Sequence, residues 1–241
     1  MAETIKCISP VDGSLYASRP VASRKDIAAT FAAAHAAQAK WRKVPLKERA
    51  AHCLAALEAM LAMSGRVTMR GLSRYGAGEL RGFEERARYM IAVAERALEA
   101  IVPDPKDGFL RFIRREPLGV VFTIAPWNYP YLTAVNSIIP AIMAGNTVVL
   151  KHAANTLLVA ERFQKAFDKA KLPRGVFQHL VLNHKQTADI ISGGHANMVC
   201  FTGSVAGGKA MEQAAAGRFI NLGLELGGKD EGPAGPRGEG F

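Results

Sequence analysis

The sequence predicts an α/β protein: a doubly wound parallel sheet that follows an N-terminal helical region. The stretch 118–151 has the pattern of a strand, a Pro-bounded turn, an apolar helix and a second strand. Both strand candidates are apolar throughout, which suits parallel strands covered on both faces. Three more strand candidates then alternate with helices, as repeated β-α units do. In such sheets, ligands bind beyond the carboxyl ends of the strands.

The N-terminal part predicts surface elements and then helices. Segment 5–21 is rich in Ser, Pro and Gly, so we expect loop or short edge strands. Ser23 and Asp26 form a capping-box signature that opens a helix through about Lys40. A second helix begins at Leu46. Its predicted apolar stripe consists of Ala50, Leu54, Leu57 and Leu61, with Cys53 packed beside it in the core.

The predicted elements after that helix are less regular at first. Glycines break the pattern between 64 and 78, and a helical face returns with Phe83, Ala87, Met90, Ala94 and Leu98. Residues 109–115 predict a strand with charges on one side, which should be half-exposed or available to a partner sheet. After Lys151 we expect helices at 155–170, 185–191 and 205–216 and strands at 176–182, 198–202 and 219–224. The predicted divisions are 1–105 (helical), 106–117 (bridging strand), 118–229 (α/β core) and 230–241 (disordered tail).

Composition excludes several classes of protein. At 241 residues and 49% hydrophobic content, the chain can bury a substantial core. It has no apolar run near the ~20 residues that cross a bilayer, so we expect a cytoplasmic protein without membrane contact. Three widely spaced cysteines, Cys7, Cys53 and Cys200, suit reduced thiols, and they supply no metal-site pattern.

The formal charge of +10 raises the question of nucleic-acid binding. The basic residues, however, are spread over the predicted helices and interleaved with acidic ones, and only 111–115 is a local cluster. We therefore expect solvated faces and small anionic ligands rather than a nucleic-acid partner.

Three sequence features place candidate chemistry at the strand ends. Gly203 and Ser204 lie between a predicted strand and helix, where backbone N–H groups and a hydroxyl can meet a phosphate, although such glycines serve tight turns equally well. Glu225 ends the last strand among Leu and Gly, where partial desolvation would suit a general base; the alternative is an ion pair with Lys229. Asn128, in a Pro-fixed loop, could donate to an oxyanion or be a simple turn residue.

Taken together, the motifs resemble the NAD(P)-dependent aldehyde dehydrogenase superfamily. They are PWNYP at 126–130, AGNTVVLK at 144–151, FTGS at 201–204 and LELGGK at 224–229. The resemblance extends from about Ile8 to Lys229. It implies the nucleotide-binding domain of that family with part of a bridging sheet, and an intact relative that is a homo-oligomer.

The resemblance also implies roles for individual residues. Asn128 would stabilise the oxyanion and Glu225 would act as general base. Trp127 and Lys151 would contact NAD or NADP, with the lysine at the adenosine ribose. The remaining implied cofactor contacts are Ala125, Gly203, Ser204, Gly208 and Leu226. In the family reaction, a cysteine thiolate attacks the aldehyde, hydride passes to the nicotinamide, and water hydrolyses the thioester.

The sequence departs from the family in three ways. None of the three cysteines matches the position of the nucleophile, which follows the LELGGK motif in a catalytic domain missing here. Residues 230–241 lack the expected strand, so we hypothesise that the reading frame is truncated or frameshifted. We expect the resulting chain to be inactive alone, and its assembly into oligomers to be doubtful. Ala154 stands where many NAD-preferring relatives place a Glu, so we expect NADP to be tolerated. A non-catalytic NAD(P)-binding or interaction protein is the alternative function.

Overall fold

A five-stranded parallel sheet forms the centre of the computed structural model, which describes residues 3–68 and 76–227, with backbone only for 64–68. The strands are β3 (Val120–Ala125), β4 (Thr147–His152), β5 (Phe177–His179), β6 (Met198–Gly203) and β7 (Asn221–Leu226). Their spatial order is β5-β4-β3-β6-β7, and all neighbours are parallel. The prediction of a parallel sheet is confirmed.

Helices cover the sheet on both faces. They are α4 (Pro130–Met143), α5 (Leu157–Lys169, after a 3-10 turn at Ala154–Thr156), α6 (His184–Ser192) and α7 (Val205–Ala215). Alternate residues of β3 face opposite cores, because successive side chains of a strand point to opposite sides. Val121 and Ala125 pack with α4 and α5, whereas Val120, Phe122 and Ile124 pack towards α6 and α7. This alternation makes the fold doubly wound.

The N-terminal elements are an antiparallel strand pair and a first helix that belongs to the same two cores. Strands β1 (Thr4–Ile8) and β2 (Leu15–Pro20) form an antiparallel pair, as expected for short edge strands. Helix α1 (Arg24–Trp41) begins with the predicted capping box of Ser23 and Asp26. Its Phe31 packs against Phe122 of the sheet, and the indole N–H of Trp41 donates to the Ile142 carbonyl at 3.0 Å. The middle and the carboxyl end of α1 are therefore fixed to the α/β core.

Helices α2 (Leu46–Thr68) and α3 (Gly76–Leu98) cover α4 and α5 from outside. The buried stripe of α2 is Cys53, Ala56, Leu57 and Met60. The predicted stripe was therefore wrong by one position at Leu54, which is exposed, and Cys53 is a core residue as expected. The glycine-rich region predicted to interrupt the helices lies largely outside the described residues.

Segment 109–115 forms no continuous strand within this chain, and its predicted pairing with a partner sheet stays a prediction. Only isolated bridges occur there, between Ile101 and Ile113 and between Lys106 and Phe109. Leu110 is 91% exposed. A strand needs a neighbouring backbone to satisfy its hydrogen bonds, and the described part of the chain offers none beyond these bridges.

Smaller differences affect the ends of the other elements. Strand β5 is shorter than the predicted 176–182, and β7 begins later than predicted, because Phe219 has a left-handed φ of 54°. The predicted tail, 230–241, lies outside the described residues. Within the described ranges, no helix is long and apolar enough to cross a membrane.

Candidate functional site

The carboxyl edge of the sheet collects the residues that the sequence singled out. Strand order reverses at β3, whose neighbours β4 and β6 lie on opposite sides, so the loops after β3 and β6 diverge there. Such a switch point is where open α/β sheets bind ligands. Every predicted site residue lies at or just after the end of a strand. They are Ala125, Trp127 and Asn128 at β3, Lys151 at β4, Gly203, Ser204 and Gly208 at β6, and Glu225 and Leu226 at β7.

A cavity of about 510 Å³ lies on the face of the sheet that α4 covers in part, and it extends from the amino ends of β3 and β6 to this edge. Its lining includes Thr123 and Ala125 of β3, Cys200 of β6 and Glu225 of β7. Strand register explains the grouping, because Glu225 pairs with Thr202 on the neighbouring strand. The cavity therefore contains one of the two predicted catalytic side chains, while Asn128 lies exposed in the adjoining loop, outside the lining.

Lys151 is a charged residue in a half-buried position. Its side chain is half-buried at the end of β4, and burial alone lowers the pKa of its ammonium group. No hydrogen bond or ion pair joins it to any of residues 3–68 or 76–227. A desolvated cation is costly unless a partner compensates it, so this ammonium group is suited to a polar or anionic ligand.

The turn between β6 and α7 places a helix amino terminus at the same edge. Ser204 is the N-cap, and its hydroxyl accepts from the amide of Gly207. The first amides of the helix, those of Val205 and Ala206, therefore have no intrahelical acceptor and point towards the edge of the sheet. A helix amino terminus of this kind favours an anionic group such as a phosphate.

The glycines of this turn also have a packing role. A Cβ at Gly203 or Gly207 would lie 2.6 Å or 2.5 Å from Cζ of Phe201. A Cβ at Gly208 would lie 2.6 Å from a methyl group of Leu226. A side chain at Gly207 or Gly208 would therefore displace Phe201 or Leu226, whereas one at Gly203 would meet Phe201 of the same strand.

The two predicted catalytic side chains are both open to solvent. Asn128 is exposed, as are its neighbours Trp127 (64%) and Tyr129 (48%). Glu225 is exposed as well, so the partial desolvation expected for it is not present in this chain. Lys229, the alternative partner of Glu225, lies outside the described residues.

The three cysteines are poorly suited to act as nucleophiles. Burial raises the pKa of Cys53 to about 12 and that of Cys200 to about 11. Cys7 is buried, its thiol donates to the Asn155 carbonyl, and burial raises its pKa too. Since the thiolate is the reactive form, all three are protonated near neutral pH. Cys200 is half-buried and lines the cavity, whereas the sequence predicted a buried thiol.

Sequence reasoning missed two buried polar residues near this edge, Glu79 and His152. His152 directly follows Lys151, and a polar residue at the end of an apolar strand is a signal that could have been used. Glu79 follows the irregular glycine-rich region, and no sequence pattern marks it. Among the described residues, no group of His, Cys, Asp or Glu could hold a metal ion.

Comparison with known proteins agrees with this geometry. A family model for the "Aldehyde dehydrogenase family" matches residues 1–232. The chain belongs to the aldehyde dehydrogenase family. A related dehydrogenase is the D-glyceraldehyde dehydrogenase (NADP(+)) of Picrophilus torridus, 29% identical over 94% of this chain and 48% of the relative. The chain thus spans about half the length of the curated aldehyde dehydrogenases it matches.

Solved aldehyde dehydrogenase structures share the fold. PnpE in complex with nicotinamide adenine dinucleotide is 28% identical, with a TM-score of 0.87 over 94% of this chain and 48% of that one. The succinic semialdehyde dehydrogenase of Streptococcus pyogenes, in complex with NADP+, is 26% identical, with a TM-score of 0.82 over 93% and 50%. The α/β sheet is therefore that of the family's nucleotide-binding domain.

Proposed function

We propose that this chain is the dinucleotide-binding half of an aldehyde dehydrogenase, which binds NAD or NADP at the carboxyl edge of the sheet. Lys151 carries the proposal, because its desolvated ammonium has no partner in the described ranges and lies where dinucleotides bind in such sheets. The amino terminus of α7, behind Ser204, would hold the pyrophosphate. Ala125, Trp127, Gly203, Gly208 and Leu226 would border the cofactor.

The chemistry proposed for the intact enzyme is oxidation of an aldehyde to a carboxylate. When bound, the dinucleotide supplies a hydride acceptor. The Asn128 amide group would donate an N–H to the oxyanion that develops on the substrate. Glu225 would take a proton from the attacking water. The exposure of both side chains supports a site that is completed by groups outside the residues described.

For the isolated chain, the cysteines favour the alternative of non-catalytic NAD(P) binding. Aldehyde oxidation in this family needs a thiolate, and the burial of Cys7, Cys53 and Cys200 keeps their thiols protonated. We therefore expect no aldehyde turnover from this chain alone. Sustained NADPH formation from an aliphatic aldehyde by the purified 241-residue chain would contradict this expectation.

Calorimetric titration with NADP+ and NAD+ tests cofactor binding. Lys151→Met should weaken NADP+ binding by at least about tenfold, or 1.4 kcal/mol, because it removes the only desolvated cation proposed to contact the ligand. The free energy of unfolding should be unchanged or higher, because the lost charge had no partner to compensate its burial.

Lys165→Met, on the exposed face of α5, is the matched control and should leave the affinity unchanged. Equal affinity in wild type and Lys151→Met would refute the assigned site. Binding that disappears at moderate salt for NADP+ and for DNA alike would instead favour a non-specific basic surface.

A further inference from the structure

The loop 126–129, which carries Trp127 and Asn128, leads into a helix that lacks a cap of its own. Tyr129 is the N-cap residue of α4 and makes no side-chain capping bond. Pro130 occupies the first helical position and has no N–H. The first amides of α4 that need an acceptor are therefore those of Tyr131 and Leu132.

A carboxylate from another helix supplies that acceptor. Oε1 of Glu79, on α3, accepts from the Tyr131 amide at 2.7 Å and lies 3.4 Å from the Leu132 amide. Glu79 is only 8% exposed, and burial raises its pKa while the two amide bonds oppose that shift. An acidic group at the positive end of a helix is favourable, so Glu79 acts as an N-cap in place of Tyr129.

An imidazole holds the other side of the same peptide unit. Nδ1 of His152, at the end of β4, lies 3.0 Å from the Ala153 amide, which can only donate, and also contacts the Thr156 hydroxyl. Nδ1 is therefore the acceptor, and Nε2 carries the proton. Nε2–H donates to the Pro130 carbonyl at 3.0 Å. His152 is 4% exposed, and burial lowers its pKa to about 4, so it stays neutral.

We infer that Glu79 and His152 are positioning residues that hold the two sides of the Pro130–Tyr131 peptide group and thereby fix the loop carrying Asn128 and Trp127. The inference rests on the proposed function for its purpose, since that loop borders the proposed cofactor site. The contacts come from three separate elements, α3, β4 and α4. The loop is consequently oriented by the packed core although its own side chains are exposed.

Amide hydrogen exchange measured by NMR tests the Glu79 contact without any cofactor. Glu79→Leu should speed exchange at Tyr131 and Leu132 by at least about tenfold relative to Ile138, in the middle of α4. Glu79→Gln, which keeps an acceptor, should have a smaller effect. Glu85→Leu on the exposed side of α3 is the control. A uniform change along α4 would overturn the inference, because it would mean only general destabilisation.

His152 allows a sharper pair of variants. Gln places its amide near the position of Nε2 and can still donate to the Pro130 carbonyl, whereas Asn can replace only the Nδ1 acceptor. Backbone 15N relaxation should show Asn128 more mobile in His152→Asn and unchanged in His152→Gln. Equal mobility in both variants would overturn the role of the Nε2 contact.

Two further measurements separate this inference from the proposed function. In wild type, imidazole 15N shifts should show Nε2 protonated and no titration near pH 6.5; an Nδ1–H tautomer would overturn the inference even if the variants fail to fold. NADP+ affinity should fall by about fivefold in His152→Asn and stay within about twofold in His152→Gln. If the NMR results hold and wild type does not bind NADP+, the positioning role stands and the proposed function fails.

Discussion

Two adjacent residues at the end of β4 respond to burial in different ways. The Lys151 ammonium stays half-buried without a partner in the described ranges, and burial lowers its pKa. The His152 imidazole is fully hydrogen-bonded in its neutral form. The proposed ligand contact and the hydrogen-bonded support thus fall on neighbouring residues.

The buried imidazole of His152 predicts how stability changes with pH. Its pKa is 6.5 when exposed and about 4 in the folded chain. Between these values the unfolded state binds a proton that the folded state rejects, so stability present above pH 6.5 is lost as the pH falls towards 4. The difference between the two pKa values corresponds to roughly 3 kcal/mol of unfolding free energy.

Urea unfolding across that pH range checks the prediction. His179 is half-buried, and burial lowers its pKa with the same sign of effect, so wild type must be compared with His152→Gln. The difference in unfolding free energy between the two should shrink as the pH falls. His184→Gln, at an exposed site, should run parallel to wild type. If the unfolding free energy of His152→Gln changes with pH in parallel with that of wild type, this imidazole is not buried as described.

The choice between NAD and NADP should depend on Ala154, an exposed residue of the 3-10 turn after β4. A carboxylate there would repel a 2′-phosphate and could accept from ribose hydroxyls. We predict that Ala154→Glu weakens NADP+ binding by about tenfold or more and leaves NAD+ binding equal or tighter. The ratio of the two dissociation constants is the measurement, and Asn155→Glu beside it is the control. No change in the ratio would place the ribose elsewhere.

At the scale of elements, the packing of α7 on β6 depends on glycine. A Cβ at Gly207 would lie 2.5 Å from Cζ of Phe201, in the strand before the helix. Gly207→Ala should therefore cost about 1–3 kcal/mol of unfolding free energy, and Phe201→Leu in the same chain should recover part of it. Thermal or urea unfolding of the single and double variants measures both effects.

Gly78→Ala on α3 is the matched control, because only the Arg81 guanidinium, at 3.9 Å, is near its added Cβ. Alanine there should be neutral or stabilising by up to about 1 kcal/mol. If Gly207→Ala and Gly78→Ala change the unfolding free energy equally, a side chain at Gly207 does not destabilise the protein through contact with Phe201.

The sequence predicted most elements because their signals are local. The capping box of Ser23 and Asp26 and the apolar runs of β3 and β4 act within a few residues and were recognisable. Segment 109–115 has strand-like residues, but among the described residues it pairs only through isolated bridges at Phe109 and Ile113, so the local pattern did not predict its structure in this chain. Glu79 could not be predicted, because its partner is the end of a helix more than 50 residues away in the sequence.

The parallel topology of the sheet brings the predicted site residues to its carboxyl edge. Asn128, Lys151, Ser204 and Glu225 are far apart in sequence and follow four different strands, yet parallel strands end on the same side. Their placement could be predicted from strand order alone. Side-chain exposure could not, since it depends on which faces other elements cover, and Glu225 lies on a face of β7 that no described helix covers.

NMR shift mapping during an NADP+ titration is the most direct test of whether NAD(P) binds at the carboxyl edge. The largest backbone shifts should fall at Trp127, Lys151 and Ser204, with saturation at one ligand per chain. Gly119 and Thr147, at the amino ends of β3 and β4, should not move. Shifts centred on those amino ends, or scattered without saturation, would contradict the account.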